Sequence, residues 1–221
     1  MDYEWDFAVV LDNLPVLMRG VGVMLQLWLV SLSIGLALGF VVALGRMATA
    51  APVRLLARGY VELFRNTPAL IQLIWFYYAF PIIMGVQLTP FTAAVIGLSL
   101  NTSAYGAEIY RGGMQAVPRG QWEGARALGM TQAALLRRII LPQVLRMMLP
   151  AFTNRAIELA KTTSLASVLA VHELMYQGRL LSATYYRPME ILTAVALIYF
   201  VVIWPGSLLS AWLERRLARH G

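Results

Sequence analysis

The stretch GVGVMLQLWLVSLSIGLALGFVVALG, residues 20–45, carries no charged side chain. A helix that crosses the hydrocarbon core of a bilayer needs about 20 mostly apolar residues. This stretch therefore predicts a membrane-spanning helix, and with it an integral membrane protein.

The composition of the whole chain agrees with that prediction. Of the 221 residues, 59% are hydrophobic and 13% are charged, with a mean hydropathy of +0.66. A soluble domain carries about 25% charged residues, so an ordinary water-facing surface is excluded. The length suits one all-α transmembrane domain that covers residues 1–221.

Four further spans are predicted outside residues 20–45. The uncharged stretch 66–107 is long enough for two spans, and Pro81, Gly85 and Pro90 break it. A later apolar stretch qualifies although it contains Arg155, Glu158 and Lys161. The additional spans are 60–81, 90–110, 147–171 and 191–213, which gives about five in total.

Basic residues predict the orientation of these spans, because cytoplasmic loops carry an excess of Lys and Arg. The N-terminal segment is acidic instead, with Asp2, Glu4, Asp6 and Asp12. We expect the N-terminus outside and the C-terminus in the cytoplasm; the bacterial inner membrane is what the family resemblance described below implies. The cytoplasmic bases are Arg46, Arg54, Arg58 and Arg65; Arg111, Arg119, Arg126, Arg137, Arg138 and Arg146; and Arg215, Arg216 and Arg219.

The loop between spans three and four, about residues 111–146, predicts two short helices rather than a disordered connector. Pro118 is suited to a helix start, and Gly129 to the left-handed position after a helix end. Thr131 is suited to cap a second helix. We expect helices at 121–128 and 132–140, with an apolar face around Trp122, Ala125 and Leu128, closed by Leu141-Pro142. Gly112-Gly113 predicts a hinge or turn where span three leaves the membrane.

This loop resembles the EAA loop of ABC importer permeases. The family pattern is E-A-A-x-x-x-G, nine residues, then I-x-L-P, and the spacing here is the same. Gly124 replaces the first Ala, at a cost of about 1 kcal/mol in helix propensity. The resemblance implies a type I importer fold and a coupling helix that docks on a cytoplasmic ATPase, with Glu123 facing the ATPase and Gly129 setting the bend. The coupling residues are then Trp122, Glu123, Gly124, Ala125, Gly129, Ile139, Leu141 and Pro142.

Further blocks resemble the polar-amino-acid branch of these permeases. They lie at residues 64–68 with Gln72, at 104–113, at 149–154 and at 161–165. A common family pattern is Lys-Asp/Asn-Thr-Ser, where this chain has Lys161-Thr162-Thr163-Ser164. The resemblance implies the permease subunit of an importer for polar amino acids.

Polar residues recur on one face of each of two predicted spans. Asn101, Tyr105 and Glu108 are spaced i, i+4, i+7, and Asn154, Glu158 and Lys161 repeat that spacing. A charge at mid-bilayer costs about 2.5–3.5 kcal/mol on insertion scales, so such residues should face a polar route. Alternatively, Glu158 pairs with Lys161, and Glu108 with Arg111. The predicted path is Asn101, Tyr105, Glu108, Asn154, Arg155, Glu158, Lys161, Thr162 and Ser164.

The local charge favours acidic or neutral polar amino acids as substrates. Arg155 and Lys161 outnumber Glu158, whereas a site for a basic amino acid would need extra carboxylates. A related zwitterion such as an opine or betaine is the alternative substrate.

The chain lacks a Walker-type loop, so the ATP and Mg²⁺ of the transport cycle would be bound by a separate ATPase dimer. Five spans are few to enclose a polar route, which predicts a second permease, identical or homologous. The family resemblance adds an external solute-binding protein. No nucleic acid is expected as a partner, because the bases lie between apolar runs that contact lipid.

No metal or cofactor is expected in this chain. It has no cysteine, and its two histidines, His172 and His220, lie far apart in sequence. An intramembrane enzyme would need a pair such as Ser164 with Lys161, or His172 with Glu173. A channel would need a selectivity-filter loop, which we do not find. Both remain distant alternatives.

Overall fold

The computed structural model describes residues 3–218, and the regular structure in this part of the chain is helical. Asp2, Arg219 and His220, which enter the orientation and histidine arguments, lie outside the described residues. The helices are α1 Ala8–Asp12, α2 Leu14–Arg46, α3 Ala51–Asn66, α4 Ala69–Ile74, α5 Phe80–Met84, α6 Pro90–Ala116, α7 Arg119–Ala127, α8 Gln132–Leu135, α9 Leu141–Thr162, α10 Leu174–Tyr185 and α11 Pro188–Ala218.

Three irregular turns connect these helices. A π turn, Trp75–Ala79, joins α4 to α5, and a second, Leu136–Ile140, joins α8 to α9. A 3₁₀ segment, Thr163–Leu169, follows α9. Each π turn lies two residues before a proline, Pro81 or Pro142. Proline has no N–H and its ring needs room, so a locally widened turn lets the helix continue past it.

The predicted first and fifth spans fall within α2 and α11. These two helices are long and apolar enough to cross a bilayer by themselves, among the residues that the structure describes. The bent pair Ala51–Asn66 and Ala69–Met84 qualifies as a third if it counts as one span. The third predicted span falls within α6, and the fourth follows α9 and its 3₁₀ extension but ends at Val171, beyond their last residue, Leu169. The total of five spans remains a prediction.

The predicted span at 60–81 is not one helix, which corrects the sequence prediction. The chain breaks at Thr67 and Pro68, and the helices on either side meet at 106°. A proline disfavours helical backbone in the residue before it, and Thr67 is extended, with φ −107° and ψ 134°. The motif residue Pro68 thus creates a sharp corner where we expected a straight span.

Two further boundaries differ from those predicted. Leu141-Pro142 does not close the loop, because α8, the second π turn and α9 continue as one helical run to Thr162. Gly112-Gly113 is not a turn, since both residues lie inside α6. Gly113 instead allows close packing: a Cβ there would lie 2.4 Å from Met148 Cγ of α9.

Helices α2 and α6 form the tightest part of the bundle and run in the same direction. A Cβ at Gly35 would lie 2.7 Å from Thr102 Cβ, and one at Gly39 would lie 2.9 Å from the Ser103 carbonyl oxygen. Small residues four apart let two helix backbones approach closely in this way. Trp28 of α2 also donates its indole N–H to the Ala156 carbonyl at 2.8 Å, which ties α2 to α9.

Gly39→Val should destabilise the bundle, because the Cβ meets a backbone oxygen that cannot move independently. Overpacking of this kind costs about 1–3 kcal/mol, so the thermal midpoint of the purified protein in detergent should fall. Gly22→Val is the matched control, since nothing lies within 4 Å of that position on the same helix. Equal midpoints for the two variants would contradict the close approach of α2 and α6.

Candidate functional site

The loop at residues 111–146 forms the predicted pair of short helices. Gly129 has φ +71°, and its N–H donates to the Arg126 carbonyl while the Met130 N–H donates to that of Ala125. This pair of bonds is the Schellman arrangement that ends α7. Thr131 accepts a hydrogen bond from the Ala134 N–H at 3.3 Å and caps α8. The predicted left-handed glycine and threonine cap are therefore confirmed.

The loop has a buried side and an exposed side. Ala125 is buried and Trp122 half-buried against the cluster of Val117, Leu135, Ile140, Val144 and Met148. Glu123 and Gly124 are exposed, as are Leu141 and Pro142, while Ile139 is half-buried.

Leu128 departs from the prediction, because it does not join the apolar face with Trp122 and Ala125. Its side chain is 82% exposed on the turn that follows α7. Sequence periodicity missed this, since the chain leaves the helix at Leu128 and the helical face no longer applies. Leu128 is thus exposed five residues after the exposed Glu123.

A polar cavity of about 410 Å³ lies between the α3–α4 corner, α6 and α9. Five of the nine residues predicted for the translocation path line it, so the structure brings these five together. The lining residues are Arg65, Asn66, Thr67, Pro68, Ala69, Asn101, Tyr105, Arg155, Glu158 and Thr162.

Arg155 forms the buried floor of this cavity. Its Nη2 donates to Asn101 Oδ1 at 2.7 Å and to Thr102 Oγ1 at 3.0 Å, and its Nη1 donates to Glu158 Oε2 at 3.0 Å. The guanidinium also lies over the Tyr105 ring, 4.3 Å from its centroid. Its Nε is buried and has no partner among the described residues. Arg155 is 4% exposed and Glu158 is 59% exposed, so the carboxylate faces the cavity while the guanidinium anchors it.

The cavity wall is held by hydrogen bonds at the α3–α4 corner. Gln72 donates to the Phe64 and Thr67 carbonyls at 2.8 and 2.9 Å, which the break leaves without helical partners. Asn101 donates in turn to Gln72 Oε1 at 3.1 Å. Asn101 therefore links the corner to Arg155, since its carbonyl oxygen accepts from the guanidinium.

Arg65 is a cavity residue that the sequence argument did not select. Its guanidinium lies 5.4 Å from the centroid of the Tyr105 ring, and its side chain is 40% exposed. We had assigned Arg65 only to the orientation signal. Its place in the block of residues 64–68 was the available hint.

Glu108 and Asn154 do not line this cavity. Glu108 lies near three arginines, at 3.1 Å from Arg46, 2.6 Å from Arg111 and 4.0 Å from Arg65, as in the alternative that pairs it with Arg111. Asn154 faces α11, where it accepts from Ser210 Oγ at 2.9 Å. The i, i+4, i+7 spacing placed each set on one side of its helix but did not reveal which neighbour each residue meets.

Lys161 and Ser164 line a different groove, of about 440 Å³, with aromatic residues of α11. The Ser164 hydroxyl donates to the Lys161 carbonyl oxygen at 2.8 Å, so it is not bonded to the amine as a nucleophile–base pair requires. His172 stacks on Tyr176, and Glu173 is buried as the cap of α10. Within residues 3–218, no group of three or more His, Asp or Glu side chains could hold a metal ion.

Comparison with known proteins places the chain in a family. Residues 35–219 match the model described as "Binding-protein-dependent transport system inner membrane component". This match covers well over half of the chain, and the chain belongs to that family.

Two relatives and one solved structure match nearly the full length of the chain. The arginine transport system permease protein ArtQ of Bacillus subtilis is 34% identical over 212 residues, 96% of this chain and 97% of ArtQ. The octopine transport system permease protein OccM of Rhizobium meliloti is 39% identical over 219 residues, 92% of this chain and 89% of OccM. A crystal structure of an amino acid ABC transporter with histidines matches with TM-score 0.90 at 37% identity, covering 97% of this chain and 100% of that one.

The family confirms several predictions. The chain is a permease subunit with the type I importer fold, a multi-pass component of the inner membrane and not an enzyme. ATP hydrolysis in such systems belongs to a separate subunit. The family also implies an ATPase and a substrate-binding protein as partners.

The two glycines of α7 and its turn give a paired prediction. Gly129→Ala forces a side chain into left-handed backbone, at about 1–2 kcal/mol, and should loosen the turn. Gly124→Ala should strengthen α7 by about 1 kcal/mol, because nothing lies within 4 Å of that position. Hydrogen exchange of the amides in residues 119–135 should rise in the first variant and fall in the second. The same change in both would contradict the assigned roles.

Proposed function

We propose that the chain moves polar amino acids across the inner membrane by alternating access, and that the Arg155–Glu158 cavity is part of the route. The observation that carries this proposal is the placement of both charges in one cavity, with the Arg155 guanidinium buried in the bundle and Glu158 facing the open side. Ionisable residues within spans are costly and mark substrate pathways. An amino acid has one carboxylate and one ammonium group, and the cavity offers a partner for each.

The cavity suggests how the two groups would bind. Glu158 is the exposed carboxylate and would accept hydrogen bonds from the ammonium group of the substrate. Arg155 is already committed to three acceptors, so Arg65 is the more available guanidinium for the carboxylate. Two arginines against one glutamate favour acidic or neutral polar substrates. Thr162, where the family pattern has Asp or Asn, adds no negative charge.

A related zwitterion such as an opine or betaine is the second candidate substrate. The α3–α4 corner contributes half of the cavity lining, and Asn66, Thr67 and Ala69 there are short side chains. A substrate larger than a single amino acid would extend in that direction. The relative named for octopine supports keeping opines in any substrate panel.

The coupling loop and the cavity are joined mechanically. The helical run from Gln132 to Thr162 begins directly after the α7 turn and carries Arg155 and Glu158. At 1.5 Å per residue, Arg155 lies about 35 Å along this run from Gln132. We propose that an ATPase, with its ATP and Mg²⁺, docks on α7 at Glu123 and Leu128. When the ATPase closes, the helical run from Gln132 to Thr162 would move as one rigid body and displace the cavity wall.

The assembly needs further chains. We propose two permeases, identical or homologous, on an ATPase dimer, because the described cavity is open to one side of a single subunit. The solute-binding protein would deliver substrate on the face that holds the N-terminus, with the C-terminus in the cytoplasm. A channel or enzyme has no observation in its favour.

The test is uptake of labelled amino acids, opines and betaines by cells that lack the chain and then receive it back. We expect saturable uptake of one acidic or neutral polar class, abolished when cellular ATP is depleted. Glu123→Arg should reduce uptake to the level of cells without the chain while the protein still reaches the membrane, because the charge reversal disrupts ATPase docking.

Glu214→Arg provides the matched control, since it reverses an exposed charge on α11 outside the loop, and the hydrogen bonds that Glu214 accepts from Asn154 and Ser210 are long, at 3.4 Å. It should retain most of the uptake. Uptake that survives both ATP depletion and Glu123→Arg would contradict the importer mechanism. Uptake confined to basic amino acids would contradict the charge argument for the cavity.

A further inference from the structure

A second polar cavity, of about 480 Å³, lies where α2 ends and α3 begins, beside the last turns of α6. Four arginines line it against a single acidic side chain, and none of this cavity is used by the proposed transport path. Its lining residues are Arg46, Ala51, Arg54, Leu55, Arg58, Glu62, Arg111 and Gln115. We call this the basic pocket.

Much of the positive charge in the basic pocket is not neutralised by the protein. Arg58 has no hydrogen-bond or ion-pair partner among the described residues, and Arg54 donates only to the neutral carbonyls of Ala48 and Thr49. Glu62 accepts from the Asn66 side chain at 2.9 Å and forms no ion pair with the arginines. An anion of the size of a phosphate would complete these partners.

Arg46 provides an independent indication of a missing ligand. Its side chain is 14% exposed, and Nη2 pairs with Glu108 at 3.1 Å. Its Nη1 is buried and has no hydrogen-bond partner among the described residues. Glu108 is shared among three arginines, so its single charge does not balance them. A buried unpaired donor of this kind is costly. Arg46 lines the pocket, so a rotation of its guanidinium would bring Nη1 to an acceptor oxygen there.

The surroundings of the basic pocket are apolar and face outward. Leu55 is 70% exposed at the pocket wall, and Leu56 is exposed next to it on α3. A site for a free anion in water would not need such a rim, whereas acyl chains require an apolar surface beside the headgroup.

We propose that the basic pocket binds the phosphate of an anionic phospholipid of the inner leaflet. Arg46, Arg54 and Arg58 hold the phosphate oxygens, while Arg111, which already donates to Glu108 and Gln115, adds positive charge at the pocket wall. The acyl chains lie along Leu55 and Leu56. Arginine suits this role because its planar fork pairs with two phosphate oxygens. Basic pockets between membrane helices on the cytoplasmic side recognise anionic headgroups in this way.

The location of the pocket gives the lipid an influence on transport. α3 runs from the basic pocket to the corner at Thr67 that forms part of the substrate cavity. Arg46 and Arg65 both lie within 4.0 Å of Glu108. A phosphate bound to Arg46 would therefore act on a charge cluster that also includes Arg65, a residue of the substrate cavity. The proposed binding of lipid requires that the chain lies in the membrane with the basic pocket on the cytoplasmic side. It does not depend on which substrate the permease carries.

Native mass spectrometry of the permease purified with its ATPase tests the lipid site. We expect the wild type purified from phosphatidylglycerol nanodiscs to retain one phosphatidylglycerol per permease chain. The wild type purified from phosphatidylcholine nanodiscs should retain no phosphatidylcholine. Arg54→Gln with Arg58→Gln should weaken retention of phosphatidylglycerol about 30-fold, since each base near the surface contributes about fivefold.

The control carries the same charge change outside the pocket. Arg146→Gln with Arg215→Gln removes two exposed bases on α9 and α11 and should leave retention unchanged. Equal loss in both double variants would overturn the proposal, because it would show a general effect of surface charge. Displacement of the lipid by excess inorganic phosphate would overturn it too, since the site would then bind free phosphate.

Discussion

The burial of the Arg155 guanidinium within a bundle of apolar helices is the constraint on which the other features depend. A charge placed there has to be met by acceptors, because lipid offers none. Asn101 and Thr102 on α6 and Glu158 on α9 supply them. Asn101 is in turn positioned by Gln72, which bonds the carbonyls that the break at Pro68 exposes. The corner at Pro68 and the buried arginine therefore stabilise each other.

The same helix that buries Arg155 also connects the cavity to the cytoplasmic loop. A π turn before Pro142 allows α8 and α9 to continue as one run where a helix would otherwise end. The turn at Gly129 thus leads directly into the helical run that carries the charged residues of the cavity. This arrangement explains why the loop motif and polar residues within the membrane occur together in one small chain.

Much of the fold could be predicted from the sequence, because charge-free stretches and capping residues have local physical causes. The spans at α2 and α11 and the turn at Gly129 follow from residues within each element. The predictions were wrong where a hydrogen-bond partner outside the motif, or an adjustment of the backbone, decides the local structure. Pro68 bends the chain because Gln72 can satisfy the broken carbonyls, and Pro142 does not end a helix because a π turn accommodates it. Helical spacing grouped Asn154 with Glu158, although Asn154 contacts Ser210 on α11 instead.

Thiol labelling of single cysteines tests the central claim most directly, because the chain has no native cysteine. The claim is that substrate passes through the Arg155–Glu158 cavity. Thr162→Cys lies in this cavity, Ser164→Cys in the groove beside α11, and Leu159→Cys is a buried control. We predict that a hydrophilic thiol reagent labels Thr162→Cys and that transported substrate slows this labelling, while Leu159→Cys stays unlabelled. Protection at Ser164→Cys but not at Thr162→Cys would contradict the claim and move the route to the other groove.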